Sequence, residues 1–318
     1  MSAGKRSIVI VGAGAVGSAL AMAFSHRPDL DVTAIGRRSH VEKIRESGLK
    51  VSGIRDESVF FTATESVPGF LGHSLVIVAV KAYDLEATLE TLRSGLDSSS
   101  VLLLIQNGYG IRELALRQLE GIVPPEQVLV GIVGMGVTFA APGHIQFWGG
   151  NVRLDSRFQD TKFHDVFENT PVDGKMSPDI QRDMWRKLVV NSIVNPISAL
   201  LQTSNRLIAE TRLNELKQLL LDEGQAVAAA AGHELGMDIA FFNRFIENDN
   251  YTSMYQDIAK GRSTEVDFIN GGIVSAAAEL GMDAPLNRWI TDLIHALEIA
   301  RSEARMRPFP DRGNPIQD

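Results

Sequence analysis

The sequence predicts an α/β fold whose second half is all helical, and three observations carry that prediction. Residues 7–11, Ser-Ile-Val-Ile-Val, form a β-type run that breaks into Gly12-Ala13-Gly14-Ala15-Val16-Gly17 and continues as a helix of small residues. As far as residue 134, further short apolar runs alternate with helical patterns, the order of a parallel sheet with crossover helices. From about Ser177 the texture changes to long helices of 3.6 period. The expected architecture is an N-terminal Rossmann-type dinucleotide-binding domain over 1–177, an all-helical C-terminal domain over 178–305 and a Pro-rich disordered tail over 306–318.

The first unit, strand to glycine turn to helix, has the dinucleotide fingerprint in the context it requires. Gly12 permits the tight turn, Gly14 lets the backbone approach a pyrophosphate, and Gly17 lets the helix lie close on the sheet. The helix N-terminus then faces the anion with its unpaired N–H groups, so Gly12, Ala13, Gly14, Ala15, Val16 and Gly17 are candidate cofactor contacts. The second strand, 31–35, runs into Gly36-Arg37-Arg38-Ser39-His40, where an NAD enzyme would place an acid for the ribose hydroxyl. Two forked, permanently charged guanidiniums suit a 2′-phosphate instead, which points to NADP(H).

The later strands are expected at 49–52, 58–63, 74–80, 101–105 and 128–134, with helices at 41–47, 85–94 and 111–119. Residues 136–156 read as an antiparallel meander about Pro142-Gly143. Two strand ends carry polar groups where ligands gather in such sheets: Val80-Lys81 and Gln106-Asn107-Gly108. In the second half, helical patterns cover 179–202, 211–234, 238–248, 251–261, 264–281 and 285–304.

Composition sets the outer limits. A chain of 318 residues with 44% hydrophobic content is long enough for about two domains. Its net charge of −8 gives no sign of a nucleic-acid surface, and no apolar run reaches a membrane span, so neither partner is expected. With no cysteine there is no disulfide or thiolate chemistry, which agrees with a cytoplasmic location. The seven His residues make no HxH or HExxH spacing, so no metal is expected.

The chemistry is sought on Trp185-Arg186-Lys187-Leu188-Val189-Val190-Asn191-Ser192-Ile193-Val194-Asn195-Pro196. Lys187, Asn191 and Asn195 fall at i, i+4 and i+8, within an arc of roughly 80° and a length of roughly 12 Å. Asn is a poor helix former and costly to bury unsatisfied, so this stripe calls for a polar ligand or network. A second constellation runs from Asn250 to Asp257, with Ser253 and Asp257 on one face, and on through Thr264, Glu265 and Asp267. Capping preference alone would account for Glu265 and Asp267 equally well. Gly271-Gly272 within a helix suggests a close approach of another backbone or a ligand.

With these pieces the chain resembles the ketopantoate reductases (2-dehydropantoate 2-reductases) from the first strand to about residue 300. The matching segments are GAGAVG at 12–17, VKA at 80–82, QNGYG at 106–110, WRKLVVNSIVNPISAL at 185–200 and SMYQDIAKGRSTEVDFING at 253–271. The resemblance implies reduction of a small 2-oxo acid, ketopantoate, by NADPH in pantothenate biosynthesis. It implies Lys187 as the catalytic lysine and Glu265 as its partner carboxylate. Asn191, Asn195, Asn205, Asn250 and Ser253 resemble substrate-binding positions, and Arg37, Lys81 and Asn107 resemble cofactor contacts, with Asn107 between nicotinamide ribose and substrate. A homodimer is a further expectation. Arg206 follows Asn205 where the family commonly has Gly, and an aromatic pair, Phe147-Trp148, replaces a His-Thr-Gly run. A reductase of another small 2-oxo or hydroxy acid, or a nucleotide-binding regulator without turnover, are the alternatives.

Overall fold

The structure, a computed structural model, describes residues 5–246 and 250–306. It divides into two compact units, Met1–Asp183 and Met184–Asp318. The first opens with β1 (Arg6–Val11), α1 (Ala15–Ser25), β2 (Leu30–Ile35) and α2 (Arg38–Ser47). It continues through β3 (Leu49–Gly53), β4 (Glu57–Val59), β5 (Thr62–Thr64), β6 (Ser74–Val78), α3 (Leu85–Leu92), β7 (Val101–Leu104) and α4 (Ile111–Gln118). Two long strands, β8 (Val128–Ala141) and β9 (His144–Asp155), and the short β10 (Asp173–Ser177) complete it.

The strands lie in the order β4-β3-β9-β8-β7-β6-β1-β2-β5, with β10 beside β9. From β5 to the first residues of β8 every pair is parallel, as crossover helices require. Helices cover both faces of such a sheet, which is why β6 after Ser74 and all of β7 are apolar and both strands are buried. Phe24 of α1 and Phe147 of β9 have no exposed surface, and burying a side chain of this size contributes about 1.5–3 kcal/mol. His40 of α2 ties the β8–β9 turn to this core. Its Nδ1 accepts the Gly143 N–H at 2.8 Å, so the proton sits on Nε2, 3.0 Å from Ser18 Oγ, and burial holds the ring's pKa below the ordinary value.

Three local expectations are corrected. The run 58–63 is two strands: β4 pairs antiparallel with β3, and β5 pairs parallel with β2. The strand beginning at 128 does not stop at 134; Leu102↔Val128 through Leu104↔Val130 pair it with β7, and from Gly131 onward it pairs antiparallel with β9. The meander about Pro142-Gly143 is thus one hairpin, whose first strand also closes the parallel sheet. β10 has no counterpart among the expected strands, since its residues Asp173-Gly174-Lys175-Met176 are exposed and carry no apolar pattern.

The second unit is helical. Its elements are α5 (Ile180–Leu201), which begins in the first unit, α6 (Asn205–Ile208), α7 (Asn214–Ala230), α8 (Ile239–Ile246), α9 (Ser253–Ala259), α10 (Val266–Glu279) and α11 (Pro285–Met306). Asp179 starts α5 by accepting the Arg182 N–H at 3.0 Å, a side-chain cap. The tail expected over 306–318 lies, beyond Met306, outside the described residues. No described helix is long and apolar enough to cross a membrane.

Candidate active site

At one end of the parallel sheet Val11, Val78 and Leu104 are level in the register, so the segments that follow β1, β6 and β7 emerge side by side. They are Gly12, Ala79-Val80-Lys81 and Ile105-Gln106-Asn107. Gly12 has φ +106°, and a Cβ there would stand 2.7 Å from the Val80 nitrogen. A Cβ on Gly17 would fall 2.1 Å from the Gly12 carbonyl oxygen, so α1 seats on the turn only with glycine at that position. Gly14 differs, because a Cβ there would meet nothing within 4 Å. The Ala13 and Gly14 N–H groups hold the turn itself, donating to Ile35 O at 2.8 Å and Gly12 O at 2.7 Å. The first turn of α1 has no side-chain cap and no acid. Its free amides, with open space before Gly14, form a cradle that fits a pyrophosphate.

Lys81 and Asn107 stand at this edge, both partly buried, with Lys81 leading into a short 3₁₀ turn. Gln106 donates from Nε2 to Val78 O at 2.8 Å, while its buried Oε1 has no donor among the described residues. Such an orphaned acceptor costs about 1–3 kcal/mol until a ligand or water supplies a donor. Past β2, Arg37 and Arg38 part company. Arg38 is occupied by Glu42 at 2.8 Å, one turn along α2. Arg37 is the exposed N-cap residue of α2 and has no ion-pair partner among the described residues, which leaves one guanidinium at a helix N-terminus.

In the helical unit, α5 presents its polar stripe as the spacing predicts. Lys187 and Asn191 are half-buried and Asn195 is 5% exposed, among the buried Leu188, Val189, Ser192, Ile193 and Val194. Burial pushes the Lys187 ammonium down to about 8, with the charge of Glu265 pulling the other way. Glu265 is itself 5% exposed and precedes α10 without capping it by its side chain. Asp267 is the exposed acid of the pair, 3.0 Å from His295. Position therefore separates two acids that sequence preference could not.

Asn205 and Asn250 are brought together through the backbone, the Asn205 N–H donating to Asn250 O at 2.9 Å. Ser253 is exposed at the first turn of α9, behind the cap Thr252, which accepts the Tyr255 N–H at 3.1 Å. Its expected neighbour Asp257 is buried and engaged by Arg262 at 2.7 Å. No other backbone comes close to Gly271, where a Cβ would find only ordinary contacts, the nearest 3.5 Å away. Sequence reasoning passed over two buried polar clusters, one around Lys217 and one around Asn270.

A family model described as Ketopantoate reductase PanE/ApbA matches residues 8–155, and its companion, Ketopantoate reductase PanE/ApbA C terminal, matches 179–298. The chain belongs to the ketopantoate reductase family. It is 35% identical to the 2-dehydropantoate 2-reductase of Pyrococcus abyssi over 92% of this chain and 97% of that one. It is 30% identical to the enzyme of the same name from Archaeoglobus fulgidus, again over 92% and 97%. Among solved structures, a ketopantoate reductase family member from Ralstonia eutropha superposes with a TM-score of 0.82 at 27% identity, covering 93% of this chain and 99% of that one. A D-mandelate dehydrogenase with NADH and anilino(oxo)acetate matches with a TM-score of 0.82 at 26% identity and the same coverage.

Proposed function

We propose that this ketopantoate reductase family member reduces 2-dehydropantoate to pantoate with NADPH, in pantothenate biosynthesis and in the cytoplasm. The observation that carries the reading is a lysine held near pKa 8 by burial, on a helix whose same face presents Asn191 and Asn195, with the buried Glu265 acting on its charge. Gly12, Ala13 and Gly14 would shape the turn against which the pyrophosphate lies and Ala15, Val16 and Gly17 would hold it by their N–H groups, with Arg37 at the 2′-phosphate and Lys81 and Asn107 at the nicotinamide half. The bound dinucleotide supplies a hydride to the carbonyl carbon. Lys187 Nζ donates a proton to the carbonyl oxygen as its negative charge develops, so that the ketone becomes a hydroxyl. A donor with pKa near 8 is mostly charged at neutral pH yet gives up its proton readily. Asn191, Asn195, Asn205, Asn250 and Ser253 orient the substrate by neutral hydrogen bonds, which fix geometry without neutralising the lysine.

A homodimer belongs to the same reading. Trp289 and Leu293, one turn apart on α11, are 60% and 51% exposed, an apolar strip that a second copy would cover. Sedimentation of the purified chain tests it, with a monomer at micromolar concentration as the contrary result. The reaction is tested by following NADPH oxidation with 2-dehydropantoate beside a panel of other 2-oxo acids. Turnover several-fold better on another acid would replace the substrate.

A further inference from the structure

Pro196 lies inside α5, and a proline has no N–H to give the carbonyl four residues before it, that of Ser192. Ser192 is completely buried, so water cannot take the place of the missing donor. The donor comes from another helix. Asn270 Nδ2 on α10 donates to Ser192 O at 2.8 Å and, with its second hydrogen, to Asn287 Oδ1 on α11 at 2.9 Å. Asn287 Nδ2 donates to Glu223 Oε1 on α7 at 2.8 Å. The Glu223 carboxylate also accepts the Leu286 and Asn287 N–H groups in the first turn of α11, at 3.0 and 2.8 Å.

Asn270 and Asn287 are both fully buried, and Asn270 Oδ1 has no donor among the described residues. A buried amide is costly, and half of this one is unsatisfied. What it provides is its two donors. Ser192 is five residues beyond Lys187, and Asn270 five beyond Glu265, each about 7.5 Å along its helix. The Asn270 bond to Ser192 O therefore joins the two helices a little more than one turn beyond the lysine on one and the carboxylate on the other.

We propose that Asn270 is a positioning residue, which supplies the hydrogen bond that Pro196 removes from α5 and thereby fixes the Lys187 helix against Glu265. The proposal rests on Lys187 as the proton donor of the reaction given above. Its test is a double-substitution cycle of Asn270→Ala with Pro196→Ala in the full-length chain, read by thermal unfolding without substrate and by steady-state kinetics. Asn270→Ala is expected to lower the unfolding midpoint by roughly 5 °C and kcat by about tenfold, with KM for NADPH within twofold. In the Pro196→Ala chain residue 196 regains an N–H for Ser192 O, and both losses are expected to shrink by at least half. Should Asn270→Ala not fold alone, the double variant carries the test, since repair predicts that it folds. Losses that simply add, or a double variant that also fails to fold, would overturn the repair. A lowered midpoint with unchanged kcat would overturn the positioning role. A chain inert toward 2-dehydropantoate overturns the proposed reaction instead, because the unfolding cycle needs no substrate.

Discussion

Two lysines on helices of the second unit, Lys187 and Lys217, are both held below the ordinary lysine value by burial, in different surroundings. Lys217 is completely buried, and its ammonium donates to Ile208 O at 2.7 Å, Glu210 O at 3.1 Å and Asn243 Oδ1 at 2.6 Å, which uses all its hydrogens in joining α7 to its neighbours. Lys187 keeps partial access to solvent, and burial holds it near pKa 8. In the proposed reaction it is Lys187 that gives up a proton and regains it. Lys187→Ala is expected to lower kcat by about 10²–10⁴ while the dissociation constant for NADPH stays within twofold. The pH dependence follows in sign. The donor must be protonated for reduction, so kcat should be level below pH 8 and fall as pH rises through about 8, and the reverse oxidation should rise over the same range. A limb near the ordinary lysine value would mean that burial does not depress Lys187, and the same limb retained in Lys187→Ala would assign the titration to another group. Lys187 was legible because its partners on the stripe recur at helical spacing. Lys217 was not, since its three acceptors come from residues brought near only by folding.

At the scale of elements, the glycine turn makes two substitutions separable although they lie three residues apart. Gly17→Ala places a methyl 2.1 Å from a backbone oxygen that cannot yield, and overpacking of this kind should lower the unfolding midpoint by roughly 5–10 °C. Gly14→Ala enters open space, so its stability should be unchanged while the affinity for NADPH falls at least about tenfold, the methyl occupying the approach of the pyrophosphate. Equal effects of the two on stability would mean that Gly14 serves the turn alone. The N-terminus of α2 gives a parallel contrast. Arg37→Ala should raise KM for NADPH about tenfold with little effect on NADH, whereas Arg38→Ala, which removes a guanidinium already held by Glu42, should change it less than about threefold. Charge alone did not separate the adjacent pair, because an i,i+4 partner on a solvated face carries no strong signal, and only the family resemblance singled out Arg37. The split of 58–63 into β4 and β5 was illegible for a different reason. Val59 and Ala63 are both buried at alternating positions, and the exchange of β3 for β2 as partner leaves that alternation intact.

At the scale of the whole molecule, the proposed cofactor contacts lie in the first unit, and the proton donor and substrate contacts in the second. The long helices of the second unit were legible in the sequence, whereas the four-residue α6 was not. The far side of the sheet was not, because the pairing of β3 with β9 and of β9 with β10 joins segments that say nothing locally about each other. Substrate choice is likewise a property of the assembled chain. Ketopantoate differs from simple 2-oxo acids by a hydroxymethyl group on its branched carbon, and a site built for it must present a buried polar partner to that hydroxyl. Glu265, 5% exposed, and Asn250, tied to Asn205, are the groups proposed for this. A site whose polar groups would be left unpaired rejects the analogue lacking the hydroxyl by factors that reach 10⁴ or so, whereas an apolar pocket discriminates weakly. We therefore expect kcat/KM for ketopantoate to exceed that for 2-oxo-3,3-dimethylbutanoate by at least about a hundredfold, and Glu265→Ala to remove most of that ratio along with much of the rate. Equal use of the two ketones would leave a general 2-oxo acid reductase. Better turnover of a phenyl-bearing 2-oxo acid with NADH would move the chain toward the chemistry of the D-mandelate dehydrogenase whose fold it matches at a TM-score of 0.82.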